Sequence, residues 1–213
     1  NGKSIPNCDC VKFLGLHIDT FLSWDQHIQS VIAKVNKGSY ILRFMGMHLS
    51  LDSLKSFYYA YVQSILSYGI IFWASSTSFQ NAFVAQKRAI RSMLRIKRTT
   101  SCKEHFRNLN ILPLPCLYIY HLLLFTKKNP NLFVRNNDVF DGMNTRNGEL
   151  LRIPVHVTEL YHRSVLIRCI KAANKIPNYI KDIHSTTKYK LAVKEYLLRH
   201  CFYTYEDFID LTG

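Results

Sequence analysis

The sequence predicts a mainly α-helical protein that begins with a short β-hairpin. Apolar residues recur three and four positions apart over most of the chain, which is the spacing of a helix face. Glycine and proline number only 8 and 6, whereas an all-β protein needs many turns that use them. Hydrophobic residues make up 48% of the 213 residues, which is enough to build a buried core. We expect the hairpin to be followed by a helical bundle and a smaller C-terminal helical segment.

The hairpin is predicted from residues 11–18, VKFLGLHI. This run is rich in residues that favour strands, contains Gly15, and follows a turn-like stretch at 6–9. We expect residues 10–18 to pair with residues 2–5, so that residues 1–22 form the hairpin region.

Residues 23–128 are expected to form the helical bundle. Ser23 and Gln26 have the spacing of a capping box, which satisfies free amide donors where a helix starts. Ser50 gives a second start signal, and Gly69 is expected to bend or end the helix that follows. The expected helices cover residues 24–45, 50–68, 79–98 and 117–127.

Residues 129–158 are expected to be a linker, because they are rich in Asn, Asp and Gly and show weak periodicity. One short strand is predicted within them at 150–157. The C-terminal segment, residues 159–213, is expected to contain two helices at 163–175 and 187–200.

Cysteine usage and hydropathy predict an intracellular protein that is not secreted. The six cysteines are scattered, and neither a signal segment nor an N-glycosylation sequon is present. The longest apolar runs, 65–74 and 117–125, are much shorter than the roughly 20 residues that cross a bilayer, so no transmembrane segment is expected. The chain begins with Asn1 rather than Met, and we expect it to be part of a longer protein.

The strongest functional signal is positive charge. The formal net charge is +14. Between residues 53 and 137 the acid Glu104 stands against a long series of lysines and arginines. On a helix over 79–98, five cations share an arc of about 100°, separate from the core face. The core face holds Phe79, Phe83, Gln86, Ile90, Met93 and Leu94, and the cation face holds Lys87, Arg88, Arg91, Arg95 and Arg98.

Unpaired like charges on one helix face repel each other unless an external anion joins them. A phosphate backbone supplies that anion, and arginine binds phosphate with two parallel hydrogen bonds. Two other interpretations stay open at this point: a solvated basic face, and binding to an anionic membrane surface. The many aromatic residues could stack on bases, although aromatics at helical spacing are more often part of a core.

The sequence shows no independent active site. It contains no Gly-rich phosphate loop, nucleophile elbow or zinc-protease motif. No catalytic residue, metal site or cofactor is therefore predicted for this chain. The nearest approaches to metal-ligand spacing are Cys8 with Cys10, Cys102 with His105, Asp138 with Asp141, and Glu206 with Asp207 and Asp210.

Several motifs together resemble the end of the palm, the thumb and the post-thumb tail of Jockey-type non-LTR retrotransposon reverse transcriptases. The first is VKFLGLHIDTFLSWDQHI at 11–28, with Phe13-Leu14-Gly15, Asp19, Trp24 and His27 in the family's order. The resemblance continues through residues 58–76 and 86–91. It extends beyond the linker through Asn144-Thr145-Arg146, Arg152-Ile153-Pro154 and Asn174-Lys175-Ile176-Pro177, so that it covers residues 11 to about 209.

This resemblance implies a thumb-like bundle at 23–128 that grips a template-primer duplex. Phe13, Leu14 and Gly15 would lie in the hairpin that touches the primer strand, and the basic helix would contact the RNA–DNA hybrid or the element RNA. The family's catalytic carboxylates, which would bind Mg²⁺, belong to an upstream palm domain that this sequence lacks. The chain alone would thus not be an enzyme, although its parent would be an RNA-directed DNA polymerase acting in the nucleus.

Two alternatives accompany this hypothesis. The chain could be a decayed or repurposed retroelement fragment that binds nucleic acid or a ribonucleoprotein without catalysis. It could also be a scaffold or membrane-surface protein that uses the same cation face. Gly15 likewise has a purely structural interpretation, as a residue that relieves a bulge in the hairpin.

Overall fold

A computed structural model describes residues 8–138, 148–155 and 158–211. It confirms a mainly α-helical chain with a short N-terminal antiparallel hairpin. The chain divides into two compact units, residues 1–100 and residues 101–213. None of the described helices is both long enough and apolar enough to cross a membrane.

The first unit begins with the hairpin and continues with helices. Its strands are β1 (Cys10–Phe13) and β2 (Leu16–Asp19), paired with Cys10 opposite Asp19 and Phe13 opposite Leu16. Its helices are α1 (Asp25–Met45), α2 (Leu51–Phe57), a π-helical segment (Tyr58–Gln63), α3 (Ser64–Ser67), α4 (Ile70–Trp73) and α5 (Phe79–Leu94).

The strands of the hairpin pair differently from the expectation. The strand at 10–13 pairs with the strand at 16–19 rather than with residues 2–5, which lie outside the described residues. Leu14 and Gly15 form the two-residue turn, with φ of 46° and 82°. Gly15 is therefore neither inside a strand nor at a bulge. Its role is to provide the left-handed backbone that a two-residue hairpin turn requires.

The capping box expected from Ser23 and Gln26 is not formed at the start of α1. The N-cap residue is Trp24, whose side chain makes no cap hydrogen bond. The carboxylate of Asp19 instead accepts hydrogen bonds from the amides of Phe21, Ser23 and Trp24 and from the Ser23 hydroxyl, at 2.9–3.1 Å. Partial burial acts to raise the pKa of Asp19, but these hydrogen bonds outweigh it and lower that pKa. One strand-end carboxylate thus ties the hairpin to the first helix.

Two close contacts explain glycines in this unit. Gly38 lies in α1 where the π-helical segment crosses it, and a Cβ there would come within 2.9 Å of the Tyr61 ring and 3.0 Å of Val62. Gly69 lies in the two-residue turn between α3 and α4, where the expected helix is interrupted, and it is the N-cap of α4 with a left-handed φ of 60°. A Cβ at Gly69 would lie 2.8 Å from a Leu16 methyl carbon, so this glycine also admits the hairpin.

The π-helical segment shifts the buried face of the second helix. The single helix expected at 50–68 is divided into α2, the π-helical segment and α3. A π-helical turn contains more residues than an α-helical turn, so the face that points inward rotates along the helix. The buried residues are Leu54, Tyr58, Val62 and Leu66.

The second unit has a core of its own around one apolar helix. Its helices are α6 (Lys103–Asn108), α7 (Leu114–Lys128), a 3₁₀ turn (Pro130–Leu132), α8 (Glu159–His162), α9 (Val165–Lys175), α10 (Asn178–Lys181), α11 (Thr186–His200) and α12 (Tyr205–Ile209). The helix α7 was expected to belong to the bundle at 23–128. It is instead the centre of the second unit, because its apolar residues pack on α9, α11 and α12.

The expected linker strand is mostly absent from the described residues. Residues 150–155 form a single bridge, between Arg135 and Leu151, while 156 and 157 lie outside the described part. The Asn174 side chain holds this bridge, since it accepts from the Leu151 amide and donates to the Leu151 carbonyl, both at 2.8 Å. The motif Asn144-Thr145-Arg146 also lies outside the described residues.

Candidate nucleic-acid interface

The helix α5 buries the face that the sequence predicted. Phe79, Phe83, Ile90 and Met93 are buried, and Leu94 is half-buried. The polar residue on this face, Gln86, is fully buried, and its amide nitrogen donates to the hydroxyl of Tyr58 at 2.9 Å. The opposite face of α5 is therefore left to carry the charge.

The basic helix is shorter than expected. It ends at Leu94 rather than at Arg98, because Arg95 adopts the left-handed conformation with φ 55°. The Arg95 amide donates to the carbonyl of Ser92, and the Ile96 amide donates to that of Arg91. This is the Schellman arrangement that ends many helices, with arginine in the position where glycine is usual. Arg95 and Arg98 therefore lie beyond the helix.

Four of the five predicted cations lie around one groove in the first unit. Arg88, Arg91, Arg95 and Arg98 line this groove, which has a volume of about 750 Å³. Lys87 does not line it; its ammonium nitrogen lies 4.4 Å from the centre of the Phe83 ring. The remaining lining residues are Tyr40, Arg43, Phe44, Met47, Val84, Ser92 and Ile96, and we call the whole set the arginine groove.

Side-by-side packing of α1 and α5 creates the groove. The Ser78 hydroxyl donates to the Asp25 carboxylate where both helices begin, and Arg88 donates to Asn36 at 2.9 Å further along. Near the other end, the Arg95 side chain lies beside Gly46. These contacts follow the same order along both helices, so α1 and α5 run parallel.

The sequence did not indicate that α1 supplies a wall of the groove. Arg43 in its last turn brings a fifth guanidinium group, and Tyr40, Phe44 and Met47 bring apolar surface. Residues 1–100 contain five arginines, and all five line the groove. One available signal was the spacing of Tyr40, Phe44 and Met47 at i, i+4 and i+7, which forms an apolar stripe on α1 separate from its core stripe.

The groove has a strong positive charge. Among the described residues, the ion pairs involve carboxylates and arginines of the second unit, and none includes an arginine of the groove. Two of the five guanidinium groups are held by neutral acceptors: Arg88 donates to Asn36, and Arg91 donates to the Thr100 carbonyl at 3.0 Å. Because neutral acceptors leave the charge uncompensated, the groove is suited to bind a polyanion.

Arg95 provides positive charge at a position where glycine would be more stable, so we expect it to lower the stability of the first unit. Arg95→Gly should raise the free energy of unfolding of the first unit by about 1 kcal/mol, since glycine adopts positive φ without steric cost. The measurement is chemical denaturation followed by tryptophan fluorescence, because both tryptophans, Trp24 and Trp73, lie in this unit.

The control for this prediction is Arg98→Gly, which removes the same charge at a position without positive φ. That variant should be no more stable than the wild type. Equal stability changes in the two variants would show that the backbone at Arg95 is not strained.

The tip of the hairpin exposes apolar side chains on a strained backbone. Phe13 is 59% and Leu14 is 74% exposed. Left-handed backbone costs a residue such as leucine about 1–2 kcal/mol, and the Tyr68 hydroxyl holds the turn by donating to the Leu14 carbonyl. Strain of this kind in an exposed turn is often associated with a binding role.

Two of the acidic residues considered as metal ligands have other roles. Asp207 caps α12 in a capping box with Thr204, and Glu206 pairs with Arg168 at 3.4 Å. The six cysteines, all of which lie within the described residues, form no disulfide. Within the described ranges, no three or more His, Cys, Asp or Glu residues are grouped so as to hold a metal ion.

Comparisons with known protein families, with curated proteins and with solved structures give no match to this chain.

Proposed function

We propose that this chain is a nucleic-acid-binding segment that grips a template-primer duplex through the arginine groove. The observation that carries this proposal is the gathering of all five arginines of residues 1–100 around one groove, where none of them forms an ion pair with a carboxylate of the described residues. Arginine forks match phosphate oxygens, and each phosphate that is neutralised releases condensed counterions.

The sequence resemblance supports a more specific role within the same proposal. The chain would be the thumb and post-thumb part of a retrotransposon RNA-directed DNA polymerase, working in the nucleus on RNA–DNA hybrid and element RNA. Phe13, Leu14 and Gly15 would contact the primer strand, which fits a strained turn with exposed apolar side chains. Catalysis and Mg²⁺ binding would belong to the upstream palm.

The proposal predicts salt-dependent binding of RNA–DNA hybrid with little sequence preference. The double variant Arg95→Glu with Arg98→Glu should bind hybrid about 100-fold more weakly and should lower the slope of log affinity against log salt by about 2. Fluorescence anisotropy with a labelled hybrid, repeated at several salt concentrations, measures both quantities.

The matched control is Lys34→Glu with Lys37→Glu, which changes the net charge by the same amount at exposed positions of α1 outside the groove. This control should retain most of the affinity. Equal losses in the two double variants would mean that only net charge matters, and would contradict a role for the groove. The polymerase-segment hypothesis and the alternative of a repurposed binding module both require the isolated chain to bind RNA–DNA hybrid.

A further inference from the structure

The arginine groove contains apolar surface that a duplex backbone would not use. Tyr40 is 74%, Phe44 58%, Met47 51% and Val84 47% exposed. All four line the same groove as the five arginines. Phosphates of a duplex can satisfy the guanidinium groups, but the faces of paired bases are stacked inside the duplex and cannot cover exposed aromatic rings.

The aromatic side chains of the groove are available for stacking. Among the described residues, Tyr40 has neither a ring partner nor a hydrogen-bond partner. Phe44 packs against the exposed ring of His48, with 5.8 Å between ring centroids, and is still more than half exposed. Tyr40 and Phe44 are one turn apart on α1, and Arg43 lies between them in the sequence.

The dimensions of the groove are suitable for a short strand. Its walls run from the level of Asn36 and Arg88 to the level of Gly46 and Arg95. Ten residues of α1 span about 15 Å, which equals the rise of about four nucleotides along one strand. Two aromatic rings and five arginines over this length match a repeating polymer of bases and phosphates.

We propose that the arginine groove binds a single-stranded polynucleotide, with Tyr40 and Phe44 stacked on unpaired bases and the arginines on its phosphates. This inference rests on the proposed nucleic-acid function and extends it: the arginines that contact the phosphates of a hybrid would also hold an unpaired strand, whose free bases can reach the aromatic rings. Stacking on aromatic rings tolerates any base, because every base has a π face. An anionic membrane fits less well, since its surface is broad and flat while this site is concave.

The test compares single strands with and without bases. The probes are labelled 12-nucleotide strands, one of oligo(U), one of oligo(dT) and one abasic strand with the same number of phosphates. The wild-type chain should prefer the base-bearing strands over the abasic strand by roughly 10-fold or more. Tyr40→Ala with Phe44→Ala should remove this preference and leave the affinity for the abasic strand unchanged. The two base-bearing probes show whether the strand is RNA or DNA.

The control removes two exposed aromatic rings outside the groove, in Phe21→Ala with Phe72→Ala, and should keep the preference. If the Tyr40 and Phe44 variant binds all three strands as the wild type does, or loses all three equally, the stacking inference is overturned. Binding of RNA–DNA hybrid by the same samples separates the two levels of the argument. If the wild type binds hybrid but shows no preference for base-bearing strands, only the stacking role is rejected. If the wild type binds neither hybrid nor single strands, the proposed function is rejected as well.

Discussion

Replacing Trp73 with alanine is expected to lower the free energy of unfolding of the first unit by about 4 kcal/mol, the range found for large aromatic deletions in cores. Trp73 is fully buried in α4, with ring centroids 5.8 Å from His27 and 5.7 Å from Phe79. Its indole nitrogen donates to the Tyr68 carbonyl at 2.9 Å. The variant would therefore leave both a cavity and an unsatisfied carbonyl.

The matched control is the adjacent aromatic residue. Phe72 is 46% exposed, so Phe72→Ala should cost less than about 1 kcal/mol. Denaturation can be followed through the fluorescence of Trp24, which both variants retain, and through circular dichroism. Similar losses of unfolding free energy in the two variants would contradict the central position of Trp73, which packs from α4 against α1 and α5.

The first unit is expected to lose stability as the pH falls from about 6.5 to about 4. His27 is 4% exposed, and neither ring nitrogen has a hydrogen-bond partner among the described residues. Burial lowers the pKa of His27 to about 4, and the nearby His17 and Lys34 act in the same direction. The folded state therefore keeps His27 neutral, while the unfolded chain takes up a proton near pH 6.5.

The sign follows from this difference in proton binding. Above about pH 6.5 His27 is neutral in both the folded and the unfolded state, so the free energy of unfolding has its full value there. Between the two pKa values the unfolded state binds more protons, so the free energy of unfolding decreases by about 3 kcal/mol in total. Asp19, whose pKa is lowered from that of an ordinary carboxyl group, adds its own loss only at lower pH.

His27→Leu should flatten the pH dependence between 6.5 and 4, because leucine removes the buried titrating group. The exposed residue His48 provides the control, and His48→Gln should retain the full pH dependence. Titration of the His27 ring signals by nuclear magnetic resonance in the wild type gives a second measurement that needs no variant. A midpoint near 6.5 for these signals would exclude a desolvated ring.

Local features of this chain were predictable because neighbouring residues produce them. The buried face of α5 follows from the spacing of Phe79, Phe83 and Ile90, and the interruption between α3 and α4 follows from Gly69. The capping of α1 was not predictable in the same way. Its donor groups are satisfied by the carboxylate of Asp19 at the end of β2, and only the path of the chain after the hairpin brings that carboxylate to the helix.

The end of the basic helix shows a similar limit. Arg95 has no intrinsic preference for positive φ, so its sequence position favours continuation of the helix to Arg98. The structure ends the helix at Leu94 and returns residues 96–100 towards it, where Arg91 donates to the Thr100 carbonyl. Backbone and side-chain hydrogen bonds across five to nine residues decide this ending.

The sequence by itself determined the helical fold class, the terminal hairpin and a cation face on α5, because periodicity and composition act within one element. The tertiary structure alone decided the site. It places Arg43, Tyr40 and Phe44 of α1 beside arginines that follow more than forty residues later, since α1 and α5 pack in parallel. Side-chain spacing along one helix carries no information about which face of another helix it meets, so a groove built by two helices appears only when both are folded.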